Sequence, residues 1–226
     1  MNYAKDLRSF IAEHRNEENA FHMEKYMRNQ YTFYGIKTPE RRALVKAFVN
    51  EHGKPNERLK EVVDELWSFK ERELKCVAID FLVAQQKLLQ AEDLRFVKKL
   101  IVTESWWDSV DPLASNVVGP LIKRHPDLIE EQLEGWIYSD NMWLNRTAIL
   151  FQLRYKDKTN EDLLYRYIKL HTASKEFFIQ KAIGWALREY SKTNRSSVIN
   201  FIGNNQLAPL SKREGLKYIL SHPEKE

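Results

Sequence analysis

The sequence predicts an all-α fold: about six helix pairs wound into an α-α superhelix, a solenoid. Three observations carry this. Apolar residues recur at helical spacing in nearly every segment, and no strand-type alternation persists. Glycine and proline are scarce, at seven each, which favours helices joined by short connections. Arg42, Glu73, Ser109, Arg146, Lys181 and Glu214 each fall early in the second helix of a candidate pair. The steps between them are about 31 to 37 residues, within reach of two-helix repeat periods. No linker interrupts the chain, so residues 1–226 read as a single domain. A curved stack of helix pairs offers a concave face suited to a long partner.

In order, helices are expected over 2–14, 18–32, 38–52, 56–67, 69–85, 92–103, 106–124, 126–137, 141–155, 159–171, 174–191, 195–203 and 211–220. Some starts are marked. Thr38-Pro39-Glu40 reads as a cap followed by proline at the first helical position. Ser211-Lys212-Arg213-Glu214 has capping-box spacing. In 106–124, Trp106, Val110, Leu113, Val117 and Leu121 form a core stripe. In 174–191, the stripe is Ile179, Ala182, Ile183, Ala186, Leu187 and Tyr190. The 141–155 helix is apolar on two sides, as an element inside a stack would be.

Composition narrows the function classes. At 43% hydrophobic and 30% charged residues, the chain has the make-up of a soluble globular protein with a sizeable core. Its apolar runs are too short to span a bilayer, and the first residues lack a basic-then-apolar signal pattern. A single cysteine, Cys76, excludes an intrachain disulfide and suits a reducing cytosol; it lies in an apolar segment and reads as core. The six histidines show no metal-binding spacing, so no metal or cofactor is expected. A net charge of +4 permits an anionic partner without demanding one. No phosphate loop, nucleophile elbow or Ser-His-Asp spacing stands out.

Four stretches break the rule of apolar inside and charge outside. In Ser105-Trp106-Trp107-Asp108-Ser109-Val110-Asp111, Trp107 and Asp111 share one side of a helix. An aromatic face beside a carboxylate can hold a cation. Asp111 also precedes Pro112, the pattern of an N-cap with proline at the first position, so cap and site both stand. In 174–191, Phe178, Lys181, Trp185 and Arg188 form a second face that alternates aromatic and basic residues. That suits a polyanion bearing flat rings; packing of Trp185 on the next repeat is the plainer alternative. Arg146 projects among Met142, Trp143, Ile149, Leu150 and Leu153, and needs an internal carboxylate or a bound phosphate. Arg41 and Arg42 oppose the dipole of their own helix start, which makes more sense if an anion sits there. Lys212 and Arg213 repeat that pattern, and two such clusters suggest a track for a charged backbone.

Several of these stretches carry a resemblance: YGIKTPERR (Tyr34–Arg42), SWWDSVD (Ser105–Asp111), DNMWLNRTAILFQLRYK (Asp140–Lys156), SKEFFIQKAIGWALREYSKTN (Ser174–Asn194) and LAPLSKRE (Leu207–Glu214). In this order they resemble the AlkD-like family of DNA alkylation-repair glycosylases, built from HEAT-like helical repeats, over almost the whole chain. The resemblance implies that Asp111 is the catalytic carboxylate and that Trp107 and Trp185 flank the lesion deoxyribose. It further implies that Arg146 touches a backbone phosphate and that Tyr26 contacts DNA. Lys37 stands where relatives can have glutamine, and no contact is carried over there. Pro112 departs from the pattern and bears on the aim of Asp111. The implied activity is hydrolysis of the N-glycosidic bond of cationic N3- or N7-alkylpurines in duplex DNA, by a cytoplasmic monomer, without base flipping. A non-catalytic DNA-structure-binding protein and a protein-binding solenoid are the alternatives.

Overall fold

The computed structural model describes residues 2–223. Among these the chain is helical, with one isolated bridge between Thr32 and Glu71 and no strand. Contacts divide it into an N-terminal unit up to Leu89 and a C-terminal unit from Gln90.

The N-terminal unit holds α1 (Tyr3–Ala12), α2 (Glu17–Tyr26), α3 (Thr38–His52), α4 (Leu59–Ser68) and α5 (Arg72–Ala84). Its core is the apolar face of α1 (Ala4, Leu7, Ile11) against α4 (Val62, Val63, Leu66), with α5 (Leu74, Val77, Ala78) packed in turn on α4, all these residues buried. Helix α2 ends at Tyr26, six residues before the expected 32, because Arg28 and Asn29 turn into the left-handed region (φ 58° and 55°). The loop that follows is fixed from α5. The buried Glu73 carboxylate accepts from the amides of Tyr34 (3.1 Å), Gly35 (2.9 Å) and Ile36 (3.1 Å). Gly35 has φ +85°, and a Cβ there would sit 1.9 Å from the Asn16 carbonyl oxygen. Only glycine fits that approach. Cys76, read as core, is half-buried on α5.

The C-terminal unit contains α6 (Leu94–Val102), α7 (Trp107–Leu113), α8 (Gly119–Arg124), α9 (Glu134–Ile137), α10 (Met142–Leu150), α11 (Glu161–Leu170), α12 (Phe177–Tyr190), α13 (Arg195–Asn204) and α14 (Pro209–Ser221). The expected 106–124 helix is continuous but not uniform. Helix α7 runs through Pro112, widens to a π-helical stretch at Ala114–Val118 and resumes as α8. Pro112 has no N–H to give to the carbonyl of Asp108, and a π-bulge is one way a helix absorbs such a break. The expected 141–155 helix stops at Leu150 and gives way to turns, and much of 126–137 is π-helical (Ile129–Leu133).

The recurring residues fall where the repeat pattern placed them. Arg42 is on α3, Glu73 on α5, Ser109 on α7, Arg146 on α10, Lys181 on α12 and Glu214 on α14. Within the C-terminal unit these second helices pack in succession, α7 on α10, α10 on α12 and α12 on α14. The tightest approach is between α12 and α14. A Cβ on Gly184 would lie 2.5 Å from the Glu214 Cβ and 3.0 Å from the Ser211 carbonyl oxygen. The expected capping box at Ser211–Glu214 is absent. Helix α14 begins two residues earlier at Pro209, the Ser211 hydroxyl donates to the Gln180 carbonyl (2.9 Å), and Glu214 turns inward.

Candidate active site

Three second helices converge on one ion pair. Arg146 on α10 donates from Nε to Oδ1 of Asp111 (2.7 Å) and from Nη2 to Oδ2 (2.8 Å), a bidentate contact to α7. Its Nη1 donates to the carbonyl of Phe178 in the first turn of α12. The side chains are 5% and 11% exposed respectively.

Local structure aims each partner. Asp111 lies inside α7, whose N-cap is Trp106, so it is not a helix cap. Its own carbonyl accepts from the Ser115 hydroxyl (2.9 Å). On α10, Asn141 caps the amides of Trp143 (2.9 Å) and Leu144 (3.3 Å). The buried Asn145 amide donates to the carbonyls of Trp136, Ile137 and Ser139, which locks the corner just before Arg146. Burial pushes the Asp111 carboxyl above the ordinary carboxylate range. The Arg146 hydrogen bonds and charge pull it back only in part, and Asp108 nearby adds to the rise.

Aromatic side chains stand on the same three helices as the pair. Trp107, half-buried, stands one turn before Asp111 on α7. Trp185, also half-buried, lies seven residues beyond Phe178 on α12, two turns along the same side. The Phe178 ring packs 5.0 Å from both Trp106 and Trp143, and those two indoles are 5.9 Å apart. Phe178 therefore belongs to an aromatic trio, with the Arg146 guanidinium 5.9 Å from its ring centroid.

The remaining basic residues divide by unit. In the C-terminal unit, Lys181 (3.2 Å) and Arg188 (3.2 Å) both pair with Glu214, joined by Lys217 (3.4 Å). Burial pushes the Glu214 carboxyl up, but Lys181 and Lys217 outweigh it and hold it below the ordinary range. Lys212 and Arg213 are exposed in the first turns of α14. In the N-terminal unit, Arg41 and Arg42 both reach Asp80 on α5, at 3.3 and 3.4 Å. That carboxylate is the anion their placement called for. Tyr26 closes α2 and is 73% exposed. No group of three or more His, Cys, Asp or Glu among the described residues could hold a metal ion. No described helix is long and apolar enough to cross a membrane.

Sequence reasoning did not single out Glu214 and Asp80 as ion partners. It asked for an internal carboxylate or a phosphate at Arg146 without recognising Asp111 as that carboxylate. The available signal was the repeat itself. Asp111 and Arg146 are 35 residues apart, and Lys181 and Glu214 lie one repeat step apart on neighbouring second helices.

Known proteins converge on one identification. No functionally curated protein matches the chain. A solved structure described as a predicted DNA alkylation repair enzyme from Enterococcus faecalis is similar, at 37% identity and a TM-score of 0.84, over 92% of this chain and 98% of that one. The family model described as DNA alkylation repair enzyme matches residues 7–219. With nearly the whole chain matched, the protein belongs to the DNA alkylation repair enzyme family.

Proposed function

We propose that the protein is a monofunctional DNA glycosylase that hydrolyses the N-glycosidic bond of cationic N3- and N7-alkylpurines in duplex DNA. The observation that carries this is the Asp111 carboxylate, nearly buried yet held in a fixed direction by Arg146, one turn from Trp107. A purine alkylated at N3 or N7 leaves with its positive charge neutralised, so it needs little acid catalysis. The transition state builds oxocarbenium charge on the sugar. Asp111 stabilises that charge and orients the attacking water, and the Trp107 and Trp185 faces favour the same cation. Arg146 holds Asp111 in place. Three of its five N–H groups are turned to Asp111 and Phe178, which leaves one on each terminal nitrogen for a phosphate. Duplex DNA is the partner in this reading, bound by a cytosolic monomer without base flipping or cofactor.

The Asp111–Arg146 pair also supports a second reading, a DNA-binding protein without catalysis, because a carboxylate with both oxygens occupied can be purely structural. Incubation with a duplex carrying a single N7-methylguanine separates them. The glycosylase releases free base and leaves an alkali-labile abasic site; the binder retains the duplex and releases nothing.

Two further outcomes follow from the charges. Affinity for undamaged duplex should fall steeply with salt and depend weakly on sequence, since phosphate contacts position without specifying. Filter binding over a salt series checks this, and salt-insensitive binding counts against a basic track. The second outcome concerns pH. The folded Asp111 pKa lies above its unfolded value, so its contribution to stability is present at low pH and lost as pH rises through the folded value. Excision runs the opposite way because it needs the ionised form. The acid limb of the single-turnover rate should therefore lie above the ordinary aspartate pKa of about 3.9.

A further inference from the structure

Glu214 is a buried carboxylate outside the Asp111 pair. Its side chain is 9% exposed, held between α12 and α14 where Gly184 lets the two helices close up. Three cations reach its two oxygens. Lys181 Nζ and Lys217 Nζ lie 3.2 and 3.4 Å from Oε1, and Arg188 Nη1 lies 3.2 Å from Oε2. Three positive charges against one negative leave a formal excess of two. Each cation also keeps spare donors, since an ammonium has three N–H groups and a guanidinium five. The cations are partly solvent-facing, Lys217 most of all at 62% exposed. One carboxylate balances only one of the three charges, so the cluster as a whole is positive. The cluster is continuous with the proposed site: Lys181 precedes Trp185 by four residues and Arg188 follows it by three, on one side of α12.

We propose that Lys181, Arg188 and Lys217 form a seat for one phosphodiester of the DNA backbone, and that Glu214 is the positioning residue that holds the three heads together before DNA arrives. The inference rests on the reading above that the chain binds duplex DNA. Long cationic side chains lose rotamer freedom on binding, and a carboxylate that has already gathered them removes much of that cost. The seat makes an expectation opposite to simple charge counting. Glu214→Gln raises the net charge from +4 to +5, that is +4 − (−1), which by itself should tighten DNA binding. Loss of the gathered geometry should instead weaken it.

The test is fluorescence anisotropy with undamaged duplex, beside single-turnover excision over a protein concentration series. Lys217→Gln, at an exposed position, should weaken binding about threefold to tenfold and reduce the salt slope by about one. Glu214→Gln should weaken binding to a similar extent, with a larger effect on the half-saturating concentration than on the plateau rate. If Glu214→Gln does not fold, Glu214→Asp, which keeps the charge and shortens the reach, takes its place with the same expectation. Parent-like binding by Lys217→Gln, or parent-like or tighter binding by the Glu214 variant, overturns the seat. A parent protein that does not bind duplex DNA at all removes the underlying reading and the seat with it. A parent that binds and releases base while both variants behave like it removes the seat alone.

Discussion

Asp111→Asn is expected to slow release of N7-methylguanine by about a hundredfold, since one well-placed electrostatic contact to a developing charge is worth on the order of 3 kcal/mol. The substitution keeps the size of the side chain and one acceptor oxygen but removes the charge. It also leaves the buried Arg146 guanidinium facing a neutral amide. Removing one partner of a buried ion pair costs roughly 3–5 kcal/mol, and the retained acceptor puts this variant near the low end. Its melting temperature should therefore drop as well. A residue serving as a helix cap would behave differently, because asparagine caps a helix as well as aspartate does. Activity must accordingly be measured well below the variant's melting temperature. Parent-rate excision by the folded variant would remove Asp111 from the mechanism.

Arg146→Ala is expected to be the more destabilising change. It strips three hydrogen bonds that tie α7, α10 and α12 together and leaves Asp111 buried without a cation. The cost should be about 3–5 kcal/mol by chemical denaturation. Without the guanidinium, burial is unopposed and Asp111 rises further, so the acid limb of excision should move to higher pH and the rate on that limb should fall. Raising the pH should recover part of that loss, which is a signature of a residue acting through a carboxylate. Arg146→Lys should restore some stability but little of the rate, because an ammonium is a point charge and cannot present the planar two-pronged contact. Affinity for undamaged duplex should stay near the parent value in Arg146→Lys. A large affinity loss there, with the pH profile unmoved, would make Arg146 a phosphate contact instead.

Much of this was legible in the sequence, and the boundary has physical causes. Helical periodicity located the second helices because their core stripes are set by local spacing; Val110, Leu113, Val117 and Leu121 are all buried as that spacing requires, while Trp106, at the start of the same stripe, is half-buried. Ends were less legible where tertiary contacts override local signals. Helix α2 stops at Tyr26, where Arg28 and Asn29 turn left-handed, and the loop beyond is held by Glu73, 37 to 39 residues from the amides it accepts from. The Ser211 hydroxyl looked like a cap because its bond to Gln180 comes from a different helix. The misplaced cations were a sound signal read without their partners. Arg41, Arg42 and Arg146 each needed an anion, and Asp80 and Asp111 supply it from neighbouring helices. Pairings between repeats are invisible to a reading that takes one helix at a time.

In the proposed mechanism Asp111 is the working carboxylate and Arg146 acts through it. The most direct measurement is a double-mutant cycle in single-turnover excision of N7-methylguanine, at saturating protein and at a temperature where every variant is folded. The parent, Asp111→Asn, Arg146→Lys and the double variant are compared. Residues that act as a unit are strongly non-additive. The double variant should therefore be no slower than Asp111→Asn alone, within about twofold, since the arginine has nothing left to position. Rate losses that multiply across the two sites would show that Arg146 serves the reaction independently of Asp111, and would contradict the account.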